Sequence, residues 1–195
     1  MTPAHPPGGG PKADPDHVRV TPATADDIEA VTDRWVELAS SQREYGSTLL
    51  SDGNRETVRD SVARGVVTGE LFVARDDADR IVGFVGFSLD HGGLDRDRRR
   101  GVVDNLYVDP DRRGDGIGSA LLSAAERALR SAGATEVGLE AMTANDRARS
   151  FYRSHGYEPH RVVLRKRIDE AEIDDADHDG GDTGGTDGDG PTDDE

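Results

Sequence analysis

The sequence predicts a mixed α/β fold, in which a central mixed twisted sheet is flanked by helices. Segments that alternate apolar and polar residues, as strands do, are interspersed with segments whose apolar residues recur at helical spacing. These segments follow one another as strand, two helices, three strands, helix, strand, helix and strand. Such an order is typical of one sheet covered by helices. We therefore expect one domain over residues 17 to 168.

The first part of this domain is predicted to form a strand and two helices. Residues 17 to 23 alternate as a short strand, and Thr24 and Asp27 then form the capping box that opens a helix. Gly46 is a suitable end for that helix, and residues 55 to 67 form the second one. The apolar residues of the first helix lie at helical spacing, so one of its faces is buried: Ile28, Val31, Trp35 and Leu38.

The middle part is predicted to supply most of the sheet. Residues 69 to 76 and 80 to 89 read as two strands joined by a polar turn, which indicates an antiparallel hairpin. A strand over 101 to 108, a helix that begins at Ile117, and a strand over 135 to 142 form a β-α-β unit. The two strands of such a unit are parallel, and the crossover is right-handed.

The last part is predicted to add a helix over residues 145 to 156 and a final strand over 157 to 168. Residues 1 to 16 are rich in Pro and Gly, and residues 169 to 195 are low-complexity Asp, Gly and Thr. Neither tail has enough apolar surface to offset the entropy of ordering it, so we expect both to be disordered. The acidic residues of the second tail do not follow the spacing of a calcium-binding loop.

The charge of the chain is strongly negative and unevenly distributed. There are 40 acidic and 24 basic residues, which gives a net charge of −16; 13 of the acidic residues follow position 168. The basic residues are almost all Arg, and Cys is absent. This composition is typical of a halophilic cytoplasmic protein, although a GC-rich genome has a similar effect. The negative charge argues against bulk nucleic-acid binding, and no apolar run is long enough to span a membrane.

A glycine-rich turn lies between the strand ending at Val108 and the helix beginning at Ile117. The first amides of a helix have no partner within it and form an anion site. Gly114, Gly116 and Gly118 remove the side chains that would hold an anion away. Arg112 and Arg113 can add cationic donors, so a pyrophosphate would suit this turn.

Three other interpretations of the turn have to be considered. The first is a dinucleotide-binding fold, but the glycine spacing departs from its G-x-G-x-x-G fingerprint. The second is a P-loop, but its G-x-x-x-x-G-K-[ST] pattern is absent. A glycine-rich loop that binds no ligand remains the third interpretation.

Two sequence blocks resemble the GNAT superfamily of N-acetyltransferases. The first, "VDNLYVDPDRRGDGIGSALL", is similar to the acyl-CoA-binding motif Arg/Gln-x-x-Gly-x-Gly/Ala. The second is "LEAMTANDRARSFYRSHGY". The resemblance is sharp over about residues 102 to 158, and the predicted order of elements agrees with the family fold. The positions that match the family are Arg113, Gly116, Gly118, Asn145, Ala148, Tyr152, Gly156 and Tyr157.

The resemblance implies acetyl-CoA as co-substrate and no metal. It implies that the main chain of Leu106, Tyr107 and Val108 pairs with the pantetheine arm and that Asn145 bonds to that arm. Tyr152 would lie near the thioester sulfur. The backbone amides implied to hold the pyrophosphate are those of Arg113, Gly114, Asp115, Gly116, Ile117, Gly118 and Ser119.

Acetyl transfer to an amine needs a neutral amine, a donor to the developing oxyanion and a proton for the leaving sulfur. We expect Tyr152 to be the acid, the alternative being a core aromatic residue. Asp104 and Glu140 are the candidate bases, although either could be a solvated strand residue. Alternation along the strand predicts that Asp104, Leu106 and Val108 share one face of the sheet, and the Leu106 amide is the candidate oxyanion donor.

The sequence therefore predicts an N-acetyltransferase that moves an acetyl group from acetyl-CoA to a primary amine, by direct transfer in a ternary complex. The acceptor is a small-molecule amine or a protein amine, and a homodimer is among the states to expect from the family. A non-catalytic acyl-CoA sensor and a nucleotide-dependent oxidoreductase are the alternatives. His91 and His155 each border Gly and are predicted to be surface turn residues.

Overall fold

Five strands form one sheet, in the spatial order β1-β2-β3-β4-β5. A computed structural model of the chain describes residues 18–50, 52–90, 98–166 and 168. The first four strands pair antiparallel, and β5 pairs parallel with β4, which confirms the predicted mixed sheet. The strands are β1 Arg19–Pro22, β2 Leu71–Arg75, β3 Ile81–Leu89, β4 Arg100–Val108 and β5 Glu136–Leu139.

Four α-helices connect and cover these strands, at the places that the apolar spacing predicts. They are α1 Ile28–Gln42, α2 Arg55–Thr68, α3 Ile117–Ser131 and α4 Asp146–Ser154. The capping box before α1 is confirmed, because Asp27 Oδ2 accepts from Thr24 N at 2.8 Å and from Thr24 Oγ1 at 3.0 Å. Gly46, with a φ of 89°, ends the region of the first helix as predicted.

Each face of the sheet packs against different helices. On one face, the buried Leu121, Leu122 and Leu129 of α3 pack against residues of the central strands such as Val85 and Val103. On the other face, Val31 of α1 and Val58 and Val62 of α2 pack against apolar residues of β2, β3 and β4: Leu71, Val73, Phe84 and Tyr107. This two-sided burial explains why β3 is apolar almost throughout.

The predicted final strand over residues 157 to 168 is wrong. The chain divides into two compact units, Met1–Glu158 and Pro159–Glu195. Within the described residues of the second unit, none is in a strand, and Val162, Val163 and Leu164 are 73%, 76% and 89% exposed. Apolar alternation favours a strand only where a neighbouring strand supplies hydrogen bonds, and none is described for this segment.

Several predictions concern residues that the structure does not describe. The tails predicted to be disordered, residues 1 to 16 and 169 to 195, lie outside the described residues, and so does His91. Across the described ranges, no helix is both long enough and apolar enough to cross a membrane.

Candidate active site

Strands β4 and β5 pair only over their first residues and then separate. Their pairing runs from Arg100↔Glu136 to Val103↔Leu139, whereas β3 stays paired with β4 as far as Gly83↔Val108. Within the described part of the chain, the edge of β4 that faces β5 therefore has no strand partner over residues 104 to 108. Main-chain donors and acceptors on such an edge are available to an extended ligand. The opening begins after Val103 and Leu139 and lies beside Leu106.

A bulge in β4 changes the direction of Asp104. Gly86 pairs with Asn105 but Phe87 pairs with Val103, so Asp104 is the extra residue. Its carboxylate accepts from Ser88 Oγ at 3.1 Å. Ser88 lies between Phe87 and Leu89, which both pack on the α3 side, so Ser88 faces the other side of the sheet.

The predicted common face of Asp104, Leu106 and Val108 is therefore wrong. Leu106 and Val108 pack towards α3, while Asp104 lies on the side of α1 and α2. Simple alternation would have put all three together, but the extra residue of the bulge reverses the alternation at that point.

The surroundings of Asp104 raise its pKa. The largest cause is the partial burial of the carboxylate, and the nearby negative charge of Glu70 adds to it, whereas the hydrogen bond from Ser88 acts in the opposite direction. Because the side chain is still exposed to solvent, this desolvation is only partial. A carboxylate with a raised pKa is a better proton acceptor than an ordinary aspartate. Glu70 is a neighbour that sequence reasoning missed.

The other candidate base, Glu140, follows directly after the end of β5. Its side chain is exposed, and within the described part of the chain no hydrogen bond or ion pair is described for it. The structure thus puts Glu140 at the mouth of the opening.

The glycine-rich turn ends in amides that have no helical partner. Gly114 and Gly116 have φ angles of 99° and 79°, which L side chains rarely adopt. The first main-chain hydrogen bond of α3 runs from Ala120 N to Gly116 O, at 3.0 Å. Among the described residues, no backbone acceptor is described for the amides of Ile117, Gly118 and Ser119. Together with the dipole of α3, these amides can hold an anion.

The two arginines of the turn have different surroundings. The Arg112 guanidinium lies 3.3 Å from Asp115 and 3.8 Å from Asp76, with the side chain only 19% exposed. It therefore holds the turn together. Arg113 is exposed, its Nε donates to the main-chain oxygen of Val108 at 3.0 Å, and its guanidinium carbon lies 6.0 Å from the centroid of the Tyr107 ring.

Helix α4 packs against the start of α3. A Cβ on Gly118 would lie 3.4 Å from Phe151 Cζ, so glycine permits this close approach. Asn145 caps α4, since its Oδ1 accepts from Ala148 N at 3.0 Å. The cap uses the amide oxygen and leaves the Nδ2 donors for another partner.

Tyr152 lies half-buried on α4 among other aromatic rings. Its ring centroid is 5.2 Å from that of Phe151 and 5.9 Å from that of Tyr157. Burial raises the pKa of the Tyr152 phenol, which keeps the hydroxyl protonated. Within the described chain, no hydrogen-bond partner is described for this hydroxyl. Tyr152 is thus part of the core by its ring, as the alternative interpretation expected, and has a hydroxyl free for a ligand.

The side chain of Tyr107 is committed to the other face of the sheet. It is 3% exposed and donates to Glu37 of α1 at 2.5 Å, and burial is the main reason why the pKa of this phenol is raised. Only the main chain of Tyr107 can therefore meet a ligand on the β4 edge, which agrees with the main-chain role that the resemblance implies.

His155 lies in the turn that follows α4, as the sequence predicts, but it is not a surface residue. The ring is half-buried, and its Nε2 lies 2.9 Å from Ser119 Oγ on α3. Its Nδ1 lies 2.8 Å from the main-chain oxygen of Phe151. The adjacent Gly156 correctly indicated a turn, and the four-residue spacing from Phe151 was the signal that the ring packs back against α4.

These features fit acetyl-CoA. The free amides at the start of α3 suit a diphosphate, the open space around Gly114 admits it, and the unpaired edge of β4 suits the amides of a pantetheine arm. Over the described ranges, no group of three or more His, Cys, Asp or Glu residues could hold a metal ion.

Comparisons with known proteins agree with this arrangement. The acetyltransferase (GNAT) family profile matches residues 34–157. The mycothiol acetyltransferase of Clavibacter sepedonicus is 32% identical over 165 residues, which are 82% of this chain and 49% of that protein. The peptidyl-lysine N-acetyltransferase YjaB of Escherichia coli is 31% identical over 122 residues, 63% of this chain and 70% of that protein.

A solved structure is similar over most of the described fold. The GCN5-related N-acetyltransferase from Ralstonia eutropha JMP134 has a TM-score of 0.62 at 25% identity, over 77% of this chain and 98% of its own. The chain spans between 27% and 49% of the length of the mycothiol acetyltransferases that it matches. The family profile, the mixed sheet with its separated strands and the amides at the start of α3 agree with one another, and we conclude that the chain belongs to the GNAT family of acetyltransferases.

Proposed function

We propose that the protein is an N-acetyltransferase that transfers an acetyl group from acetyl-CoA directly to a primary amine in a ternary complex. The observation that carries this proposal is the opening between β4 and β5, which lies at the end of β4 that leads into the turn with the free amides of α3. One relative is named for peptidyl-lysine, which supports an amine acceptor. Small-molecule and protein amines are both candidates.

The chain binds the donor with main-chain groups. The amides of Ile117, Gly118 and Ser119 hold the diphosphate, with Arg113 beside them. The unpaired edge of β4 pairs with the pantetheine arm, and the Nδ2 group of Asn145 donates to that arm. Bound in this way, acetyl-CoA supplies a thioester carbonyl at the opening. Holding donor and acceptor side by side accounts for much of the expected acceleration.

Two side chains handle the protons. Asp104 takes a proton from the ammonium group of the acceptor, directly or through a water molecule, which leaves the neutral amine to attack the thioester carbonyl. Its raised pKa makes it better suited to this than an ordinary aspartate. Tyr152 holds the proton for the leaving sulfur, and the Leu106 amide donates to the developing oxyanion. Asp104 is favoured over Glu140, because Asp104 accepts a hydrogen bond from Ser88 and lies near Glu70, whereas for the exposed Glu140 no hydrogen bond or ion pair is described within the described residues.

The proposal is tested with a panel of amines that includes lysyl peptides and protein N-termini, with CoA release measured over a range of salt up to molar concentration. We expect turnover with at least one amine and intersecting initial-rate lines, as a ternary complex requires. The variant Tyr152→Phe should lower kcat by about 10² or more, while CoA affinity measured by calorimetry stays unchanged.

Other results would support other functions. CoA binding without turnover of any amine would favour the non-catalytic acyl-CoA sensor. Thermal stabilisation by NAD but not by CoA would contradict the proposal altogether. A homodimer and a cytoplasmic, high-salt environment stay predictions, which sedimentation and stability measurements in salt can test.

A further inference from the structure

His155 and Ser119 form a hydrogen-bonded pair that joins α4 to the first turn of α3. His155 Nε2 lies 2.9 Å from Ser119 Oγ. Within the described part of the chain, Ser119 is also one of the three residues at the start of α3 whose amides have no backbone acceptor. The pair thus lies at the place where the proposed function puts the diphosphate, and the inference below rests on that proposal.

The other ring nitrogen fixes the neutral tautomer. Nδ1 lies 2.8 Å from the main-chain oxygen of Phe151, and a carbonyl oxygen only accepts hydrogen bonds. Ser154 Oγ lies 3.3 Å from the same nitrogen, but its own proton is donated to Phe151 O at 2.7 Å. Nδ1 therefore carries the proton of the neutral ring, and Nε2 is an acceptor.

With a neutral ring, Ser119 must donate its only hydroxyl proton to His155. That proton is then not available for an anion. When a proton from solvent binds to Nε2, the ring donates at both nitrogens, Ser119 Oγ becomes the acceptor, and its proton is free to turn towards a phosphate oxygen. Protonation of His155 and donation by Ser119 are thus coupled.

We propose that His155 is a positioning residue that makes the affinity for CoA pH-dependent, by controlling whether the Ser119 hydroxyl can donate to the diphosphate. Because the ligand favours the protonated ring, in which Ser119 is free to donate, the affinity should rise as the pH falls. The effect acts on the diphosphate end of the ligand and not on the reacting thioester.

Other titratable or charged groups lie on the elements around the ring. On α4 these are Asp146, Arg147, Arg149, Tyr152 and Arg153, and on α3 and the turn before it they are Arg112, Arg113, Asp115, Glu126, Arg127 and Arg130. Asp115 is paired with Arg112 at 3.3 Å, and Glu126 accepts from Tyr157, which follows α4, at 2.8 Å. Within the described residues, the ring's hydrogen-bond partners are Phe151, Ser154 and Ser119.

The test measures the CoA dissociation constant by calorimetry between about pH 5.5 and about pH 8, which brackets the titration of an ordinary histidine. The chains compared are the wild type, His155→Phe, Ser119→Ala and the double variant. The CoA affinity of the double variant changes with pH only through the ligand and through groups outside the pair, so it serves as the reference. Relative to the double variant, the wild type should bind about tenfold more tightly at the acidic end than at the alkaline end.

The single variants separate this role from a purely structural one. His155→Phe keeps an aromatic ring beside Phe151 and frees the Ser119 hydroxyl, so its affinity should be independent of pH relative to the double variant. Ser119→Ala should bind over the whole range about as weakly as the wild type does at the alkaline end. Acetyl-pantetheine, which lacks the diphosphate, should give the same kcat/KM with the wild type and His155→Phe.

Three results would overturn the inference. A His155→Phe profile that follows the wild type would exclude His155 as the titrating group. A Ser119→Ala variant with the full wild-type pH dependence would mean that the imidazolium acts on the ligand without Ser119. A wild type that fails to bind CoA at any pH would overturn the proposed function and this inference with it.

Discussion

Asp104 combines three features at one residue. It is the extra residue of a β-bulge, it lies where β4 loses its second neighbour, and its carboxylate is near the negative charge of Glu70. Bulges are frequent next to active sites because they redirect one side chain without disturbing the rest of the sheet. Here the bulge turns a carboxylate away from the α3 core and towards the side of α1 and α2.

The variant Asp104→Asn should lose most of its activity. It keeps the shape of the side chain and can still accept from Ser88, but it cannot take a proton. We expect kcat/KM to fall about 10² to 10⁴. In the wild type, the raised pKa means that activity rises as the pH increases through the titration of Asp104, and this acidic limb should be absent in the variant.

The matched control is Glu140→Gln. Both variants are assayed with the same amine, so that the protonation of the amine itself affects the two pH profiles equally. It should keep at least half of the activity and the acidic limb. If the two variants lost activity equally, or if Glu140→Gln alone lost it, Asp104 would not be the base.

At the scale of an element, the start of α1 depends on a buried ion pair. Asp27 is 4% exposed, and its Oδ1 lies 2.6 Å from Arg75 of β2, while Oδ2 receives both hydrogen bonds from Thr24. Burial alone would raise the pKa of Asp27, but the hydrogen bonds from Thr24 and Arg75 outweigh it and lower the pKa. The capping box therefore also joins the helix to the sheet.

The variant Asp27→Asn should destabilise the fold by about 2 kcal/mol, because it leaves Arg75 without its partner. Since the folded pKa is lowered, the charge of Asp27 stabilises the fold above its unfolded value of about 3.9, and this contribution is lost as the pH falls through the folded pKa. The difference in the free energy of unfolding between wild type and variant should therefore shrink in acid.

Urea denaturation at several pH values measures both effects. Asp26→Asn is the control, since Asp26 is the exposed neighbour of Asp27. This variant should change the free energy of unfolding by less than about 0.5 kcal/mol. An Asp27→Asn variant as stable as the wild type at neutral pH would contradict the prediction.

Elements governed by local pattern could be predicted from the sequence. The four helices, the hairpin and the parallel β4–β5 pair follow from apolar spacing, caps and glycines, and all of them are present. The errors have non-local causes. The bulge at Asp104 depends on how β3 and β4 pair, and alternation along one strand contains no information on it.

Residues distant in the sequence account for the other omissions. Glu70 reaches Asp104 only because β2 and β4 flank the same strand, and His155 reaches Ser119 only because α4 packs on Gly118. The segment after Glu158 has the composition of a strand but no described neighbour to pair with. Composition predicts which residues prefer a strand, whereas pairing is decided by the whole fold.

At the scale of the whole molecule, the distribution of negative charge along the chain affects how CoA binds. The net charge is −16, and the 13 acidic residues after position 168 account for most of it, which leaves −3 for residues 1 to 168. CoA carries a diphosphate and a further phosphate, so it is strongly anionic. The acidic tail and the ligand therefore repel each other whenever salt does not screen them.

The association rate of CoA should depend on this repulsion. At about 10 mM salt the screening length is about 30 Å, and at about 1 M it is about 3 Å. A variant of the same length, in which the 13 acidic residues after position 168 are replaced by Asn and Gln, should bind CoA at least about tenfold faster than the wild type at low salt. At molar salt the two rates should converge, because the charges of the tail are screened over such short distances.

Stopped-flow fluorescence, with a fluorescent CoA derivative as the ligand, measures these rates directly. Pantetheine is the control, because it is uncharged and its association should not respond to the tail in either salt. Equal CoA rates for the two chains at low salt would mean that the tail's charge does not reach the binding site. A faster rate that persisted at molar salt would instead mean that the tail obstructs the opening by its bulk, since screening removes an electrostatic effect but not a steric one.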